Sequence, residues 1–92
     1  MLPITQLNLL PEVSGVYKVL SATGEVLYVG QAQNIHKRWN KGHHKLHEII
    51  AECGVSGFIQ WIELPCWLLN RAENLAIRFY QPKLNQKTPP VV

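Results

Sequence analysis

Residues 15–38 read GVYKVLSATGEVLYVGQAQNIHKR, and their pattern decides the fold. Two β-rich runs, Gly15–Leu20 and Val26–Gly30, flank a polar turn carrying Thr23-Gly24. β-branched and aromatic residues on both sides of a Gly-containing turn predict a β-hairpin. With an even number of loop residues, Tyr17 and Tyr28 share one face, directly opposite or on a diagonal. Gly30 leaves bare backbone beside the two phenols, and Arg38 follows soon after. Two phenols, a side-chain-free position and a guanidinium gathered so closely suggest a site.

Downstream of the hairpin, Gln31-Ala32-Gln33 forms a connector and Asn34 is a good N-cap for a helix carrying Ile35 and Trp39 on its apolar stripe. Gly42 breaks or kinks that helix. A second helical stretch, residues 43–52, leads into Cys53 and has Leu46, Ile49, Ile50 and Cys53 at helical spacing, with Gly54 as its stop. Residues 56–64 alternate, with Phe58, Gln60, Ile62 and Leu64 on one side and Ile59, Trp61 and Glu63 on the other. Apolar residues on both faces predict a third strand that is central or covered on each side. Pro65 ends it. Asn70 then caps a helix running through Leu75, Ala76, Phe79 and Tyr80 to Pro82. Residues 1–14 drape a short turn over the core, Pro82 to Asn85 runs extended, and residues 86–92 form a polar, Pro-rich tail expected to fray. The expected fold class is α+β: one domain over residues 1–92, with a small, mainly antiparallel three-stranded sheet flanked by helices in the order β-β-α-α-β-α.

The chain has 92 residues, near the lower limit for burying a core without disulfides or metal. Lys and Arg exceed the acids by nine to six, a balance compatible with nucleic acid but no proof of it. The distribution says more. Between Glu25 and Glu48 there is no acid, and that window holds Lys37, Arg38, Lys41 and Lys45 with His36, His43, His44 and His47. Cys53 and Cys66 are too few for a disulfide scaffold or a four-thiolate zinc site. The N-terminus lacks a signal-peptide pattern, and no run approaches the ~20 apolar residues of a membrane span. The expectation is a soluble, cytoplasmic chain.

Several candidates have ordinary structural explanations. A tyrosine in a strand is commonly a half-buried packing residue. Asn70 and Glu73 have the spacing of a capping box, so Glu73 could simply satisfy a helix N-terminus. Asn85 could be a turn residue. Lys37, Lys41 and Lys45 could form a solvated face or touch a nucleic-acid backbone without specificity. His43 and His47, one helical turn apart, could bind zinc with a cysteine, but two histidines without a third clear ligand are weak evidence.

The combination resembles the GIY-YIG nuclease domain. Gly15-Val16-Tyr17 matches the first tripeptide and Tyr28-Val29-Gly30 the second, with Arg38 on the following helix. Glu73 and Asn85 stand where that family keeps its acidic residue and its late asparagine, so the resemblance covers nearly the whole chain. It implies a Mg²⁺- or Mn²⁺-dependent endonuclease acting on DNA. In that scheme Tyr17 is the general base or its relay, and Tyr28 adds a hydrogen bond. Arg38 offers its fork to the phosphate, Glu73 holds the metal, and Asn85 fixes the site from the C-terminal side. His43 or His44 lies near where some members place a His or Tyr beside the reacting water; His43 is the preferred candidate. Gly30, Lys37, Arg38, Lys41 and Lys45 complete the expected nucleic-acid contacts.

One departure stands out. Many members carry Lys after the second tripeptide, where this chain has Gln31. A neutral amide cannot lower a phenol's pKa by its charge, so either a histidine substitutes or activity falls. The competing expectation is therefore a binding module on the same scaffold that has lost turnover. Members also often carry a separate targeting domain. Here substrate choice is expected to come from the domain itself or from a partner protein, or to be loose.

Overall fold

The computed structural model describes residues 1–43 and 45–86. Expectations for His44 and for residues 87–92 of the tail therefore lie outside the described residues, while Lys83–Gln86 forms a 3₁₀ turn in place of the expected extended run and start of the tail. The hairpin forms as its pattern predicts. Strands β2 (Gly15–Leu20) and β3 (Val26–Ala32) pair antiparallel, with Tyr17 opposite Gly30 and Val19 opposite Tyr28. The two tyrosines are thus diagonal neighbours on one face. Gly24 closes the turn at φ +91° and donates its N–H to the Ser21 carbonyl, a conformation open to glycine.

The sheet has four strands, not three, in the order β1-β4-β2-β3. β4 (Phe58–Glu63) pairs with β2 and, on its other side, with the dipeptide β1 (Leu2–Pro3). Two residues, one of them proline, carry no alternation that would announce a strand. Proline also suits only an edge, because it has no N–H to give a further partner. A 3₁₀ turn over Ile4–Leu9 follows and lays Ile4 into the core, as expected of a segment draped over it.

Helix α1 (Ile35–Asn40) is capped by the Asn34 side chain, which accepts the Lys37 N–H at 3.0 Å, and it buries Ile35 and Trp39. Gly42, at φ +86°, breaks the chain out of helix. Helix α2 (Leu46–Cys53) starts three residues later than the spacing suggested and ends at Gly54, whose φ is +59°. His43 therefore lies outside the helix, in the preceding turn. The zinc pairing with His47 fails for that reason: His43 is buried, while His47 sits exposed on α2. Helix α3 (Leu69–Tyr80) ends before Pro82, with Gln81 in the left-handed region.

Two apolar clusters form, one on each face of the sheet. Tyr17, Val19, Tyr28 and Ile59 pack with Ile35, Trp39 and Ile49 on one face. Val16 and Val29 pack with Leu69, Ala72 and Ala76 of α3 on the other. α3 meets the β2–β3 side and leaves β4 half-covered, so Ile62 stays 60% exposed rather than buried on both faces as the alternation implied. Leu75 and Phe79 of α3 also face outward. Among the described residues no helix is long and apolar enough to cross a membrane.

Candidate active site

Tyr17 is the centre of the constellation. Its ring is almost completely buried, and its hydroxyl lies 2.8 Å from Nε2 of His43. The Lys45 backbone N–H donates to the other ring nitrogen, Nδ1, at 3.1 Å. A nitrogen that accepts carries no proton, so in the neutral ring the proton sits on Nε2 and is donated to the Tyr17 oxygen. His43 therefore reaches the phenol. Trp39 stacks on a face of the imidazole, with centroids 4.0 Å apart and planes at 10°, and holds the ring in place. Tyr28 lies edge-on to His43 at 5.5 Å and 6.4 Å from Tyr17.

Gly30 seats this arrangement. It is buried, and a Cβ built there would lie 2.6 Å from the Tyr17 hydroxyl. Its missing side chain makes room for the phenol, so the bare backbone packs against Tyr17 instead of standing open to a ligand. Because the phenol is buried and bonded to His43, it cannot simply swing away. Gly30→Ala is expected to destabilise the fold by about 1–3 kcal/mol through overpacking. Chemical denaturation measures that, and a variant as stable as wild type would show that Tyr17 relaxes freely.

Burial pushes the Tyr17 hydroxyl pKa well above the ordinary phenol range, and the neighbouring Tyr28 adds to the rise. The Arg38 guanidinium opposes it, and Glu73 raises it further. Tyr28 is raised mainly by burial and then by Glu73, again against Arg38. Both phenols are therefore neutral near pH 7. Because these protons are held more tightly in the folded state, stability is intact below about pH 10, the unfolded tyrosine value. It falls above that, where the unfolded chain ionises first. Denaturant midpoints measured from pH 8 to 11 should drop at the alkaline end, and less steeply in Tyr17→Phe. An equal slope in the variant would contradict the assignment.

Glu73 reaches the site from α3. The capping-box geometry is absent: the helix begins at Leu69, its N-cap Leu68 makes no side-chain cap bond, and Asn70 lies inside the first turn. Instead the Gln31 amide nitrogen donates to Glu73 Oε1 at 2.8 Å and to Asn70 Oδ1 at 2.6 Å. Glu73 takes part in no ion pair among the described residues. No three His, Cys, Asp or Glu side chains converge as a metal cage among them either. A lone, charge-unpaired carboxylate suits a hard cation that keeps most of its waters and takes substrate oxygens, as Mg²⁺ does. It does not suit zinc.

Asn85 turns out to be a clamp. Its Oδ1 accepts the Val29 N–H at 2.8 Å, and its Nδ2 donates to the Val29 carbonyl at 2.9 Å. Both ends of the amide are spent on the free edge of β3, between Tyr28 and Gly30, so it holds the strand that presents the second phenol. Arg38, Lys37 and Lys41 are exposed. With Gln31, Asn34 and Gly42 they line an open groove of about 540 Å³. Lys45 is half-buried and paired with Glu48 at 3.2 Å, which sets it apart from the exposed cations of that groove.

The GIY-YIG catalytic domain profile matches residues 13–85. The chain belongs to the GIY-YIG family. The UvrABC system protein C of Christiangramia forsetii is 34% identical over 87 residues, and that of Rickettsia rickettsii is 36% identical over 81. These stretches take in 87% and 82% of this GIY-YIG chain but only 14% and 12% of the relatives, so the chain spans about a seventh of their length. The N-terminal endonuclease domain of UvrC from Thermotoga maritima, crystallised with magnesium as its catalytic divalent cation, superposes with a TM-score of 0.73 at 24% identity. That likeness covers 88% of this chain and 92% of the UvrC domain. A point mutant of the same domain, also bound to its cation, gives 0.71 at 25% identity, covering 87% and 90%. The α+β fold and the nuclease family are thereby shown together.

Two features had no legible local signal. Gln31 stood out only as a departure from the family pattern, and its bridge to Glu73 spans 42 positions. The Trp39 wall behind His43 read simply as an apolar stripe residue.

Proposed function

We propose that this chain is a divalent-metal-dependent endonuclease that hydrolyses DNA phosphodiester bonds. The observation that carries this reading is the buried Tyr17 hydroxyl held 2.8 Å from a histidine whose tautomer is set by a backbone amide. A phenolate at neutral pH costs about 4 kcal/mol relative to a free phenol, and burial adds to that. An N–H donor at the oxygen and a nearby guanidinium both work the other way. His43 thus supplies part of what Gln31, being neutral, cannot.

The residues divide the work as follows. In its phenolate form, reached by loss of its own proton to solvent, Tyr17 takes the proton from the attacking water at its phenolic oxygen, and His43 Nε2–H stabilises the negative charge on that oxygen. Tyr28 adds a hydrogen bond from the adjacent strand. Arg38 offers a forked donor to the non-bridging oxygens, where charge develops. Lys37 and Lys41 align the backbone of the nucleic acid along the groove. Asn85 keeps β3 in register beneath both phenols. Glu73 would hold Mg²⁺ or Mn²⁺, which supplies Lewis-acid polarisation and a more acidic water.

A panel of supercoiled plasmid, branched DNA, single-stranded DNA and RNA, incubated with Mg²⁺, Mn²⁺ or EDTA, tests the reading and sorts the substrate class. Metal-dependent cutting of DNA supports it. Salt-sensitive binding to every substrate with no cleavage contradicts it and favours a binding module that has lost turnover. Targeting to particular sites by a partner protein would appear as cleavage that is loose in the isolated chain.

A further inference from the structure

We propose that Gln31 is a positioning residue for the metal-binding carboxylate, orienting Glu73 without neutralising it. This rests on the reading of Glu73 as the metal ligand. An amide NH₂ has two hydrogens, and Gln31 spends both on α3: one on Glu73 Oε1 at 2.8 Å, the other on Asn70 Oδ1 at 2.6 Å. The orientation of the amide follows from its neighbours. A carboxylate only accepts, so turning the Gln31 oxygen toward it would set two acceptors face to face. Gln31 shares a β3 face with Val29, two residues before it, which packs against Leu69 of α3. The strand thereby pins the first turns of α3 at two points three residues apart, which lie on one side of a helix. One carboxylate oxygen is fixed and the other is left for a cation.

The charge state of the pin matters as much as its geometry. A carboxylate bonded to an ammonium gives up part of its attraction for a dication, whereas one bonded to a neutral amide keeps its full charge. With a single carboxylate and no cage among the described residues, the affinity of the site depends on that charge being unspent. Partners that orient a metal ligand typically change metal affinity 10- to 100-fold when removed.

The test is Mn²⁺ binding to the full chain without nucleic acid, followed by water-proton relaxation. Wild type is compared with Gln31→Met, which keeps the length but has no donor, and Gln31→Lys, which keeps a donor but adds charge. Glu73→Gln is the reference. Both Gln31 variants are expected to weaken Mn²⁺ binding by about 10-fold or more, with thermal midpoints close to wild type because Gln31 is half-exposed. The Lys variant should recover part of its loss at high salt and the Met variant should not, a difference that a merely structural role would not produce. If either variant binds Mn²⁺ as tightly as wild type while Glu73→Gln does not, the positioning role is overturned and the metal site stands. If Glu73→Gln binds like wild type, the metal site falls, and the role of Gln31 with it.

Discussion

Glu73→Gln is expected to lower metal-dependent cleavage on the order of 10³-fold while leaving the fold in place. A bound divalent ion is worth several kcal/mol of transition-state stabilisation, and each 1.4 kcal/mol is about tenfold in rate. The substitution is nearly isosteric, and the lost carboxylate has no ion pair among the described residues whose rupture would strand a buried charge. Gln at position 73 can still accept the Gln31 amide through its own oxygen, so the tie between α3 and β3 persists. The effect should therefore appear in the rate and in metal affinity, and hardly in the denaturation midpoint. Cleavage by Glu73→Gln at the wild-type rate with the same Mg²⁺ requirement would remove Glu73 from the site.

Tyr17→Phe is expected to cost 10²- to 10⁴-fold in the cleavage step, the usual contribution of a positioned proton acceptor. Phe fills the same space beneath Gly30, so packing is kept. The loss is the oxygen that His43 Nε2–H addresses, leaving that donor without its partner in a buried pocket, at a stability cost of about 1–3 kcal/mol. The pH dependence separates this role from a structural one. Wild-type activity should climb with pH above neutrality as the phenolate fraction grows, because burial holds the phenol above its ordinary range. In Tyr17→Phe that climb should vanish. A variant with the same alkaline rise, merely displaced downward, would assign the titration to another group.

Much of the site was legible because its parts are local. The two tripeptides fixed the hairpin, and strand periodicity placed Tyr17 and Tyr28 on a shared face; the register then made them diagonal through Gly30 and Val19. Asn34 capped its helix as its side chain predicts. What escaped depends on partners far apart in the chain. Asn70 and Glu73 satisfied a helix-start spacing, yet the Gln31 amide occupies both, and no rule of spacing within α3 could indicate that. His43 looked like a helical residue because its neighbours continue an apolar period. Gly42 breaks the chain before it, and its imidazole turns inward to Tyr17, 26 positions away. Asn85 could only be placed as a turn residue or a site residue; its bidentate hold on Val29 belongs to the folded edge of the sheet. The missed fourth strand lies at the opposite edge of the sheet, where it pairs with β4 through two residues alone.

The roles assigned to Gly30 and Asn85 have a common consequence. Gly30 packs against the Tyr17 hydroxyl and Asn85 bonds the Val29 backbone, so both steady the part of β3 that lies beside the two phenols. Lys37 and Lys41, by contrast, are exposed residues of the groove. Losses at the first set should therefore follow the fold, and losses at Lys37 and Lys41 should follow ionic strength.

The most direct test of the central claim is single-turnover nicking of supercoiled plasmid by wild type, Tyr17→Phe and Glu73→Gln, each with Mg²⁺ and with EDTA. The account predicts nicked circles from wild type with Mg²⁺ alone, and from neither folded variant at a comparable rate. Plasmid bound by wild type yet left intact with Mg²⁺, or nicked equally well by Glu73→Gln, would contradict it.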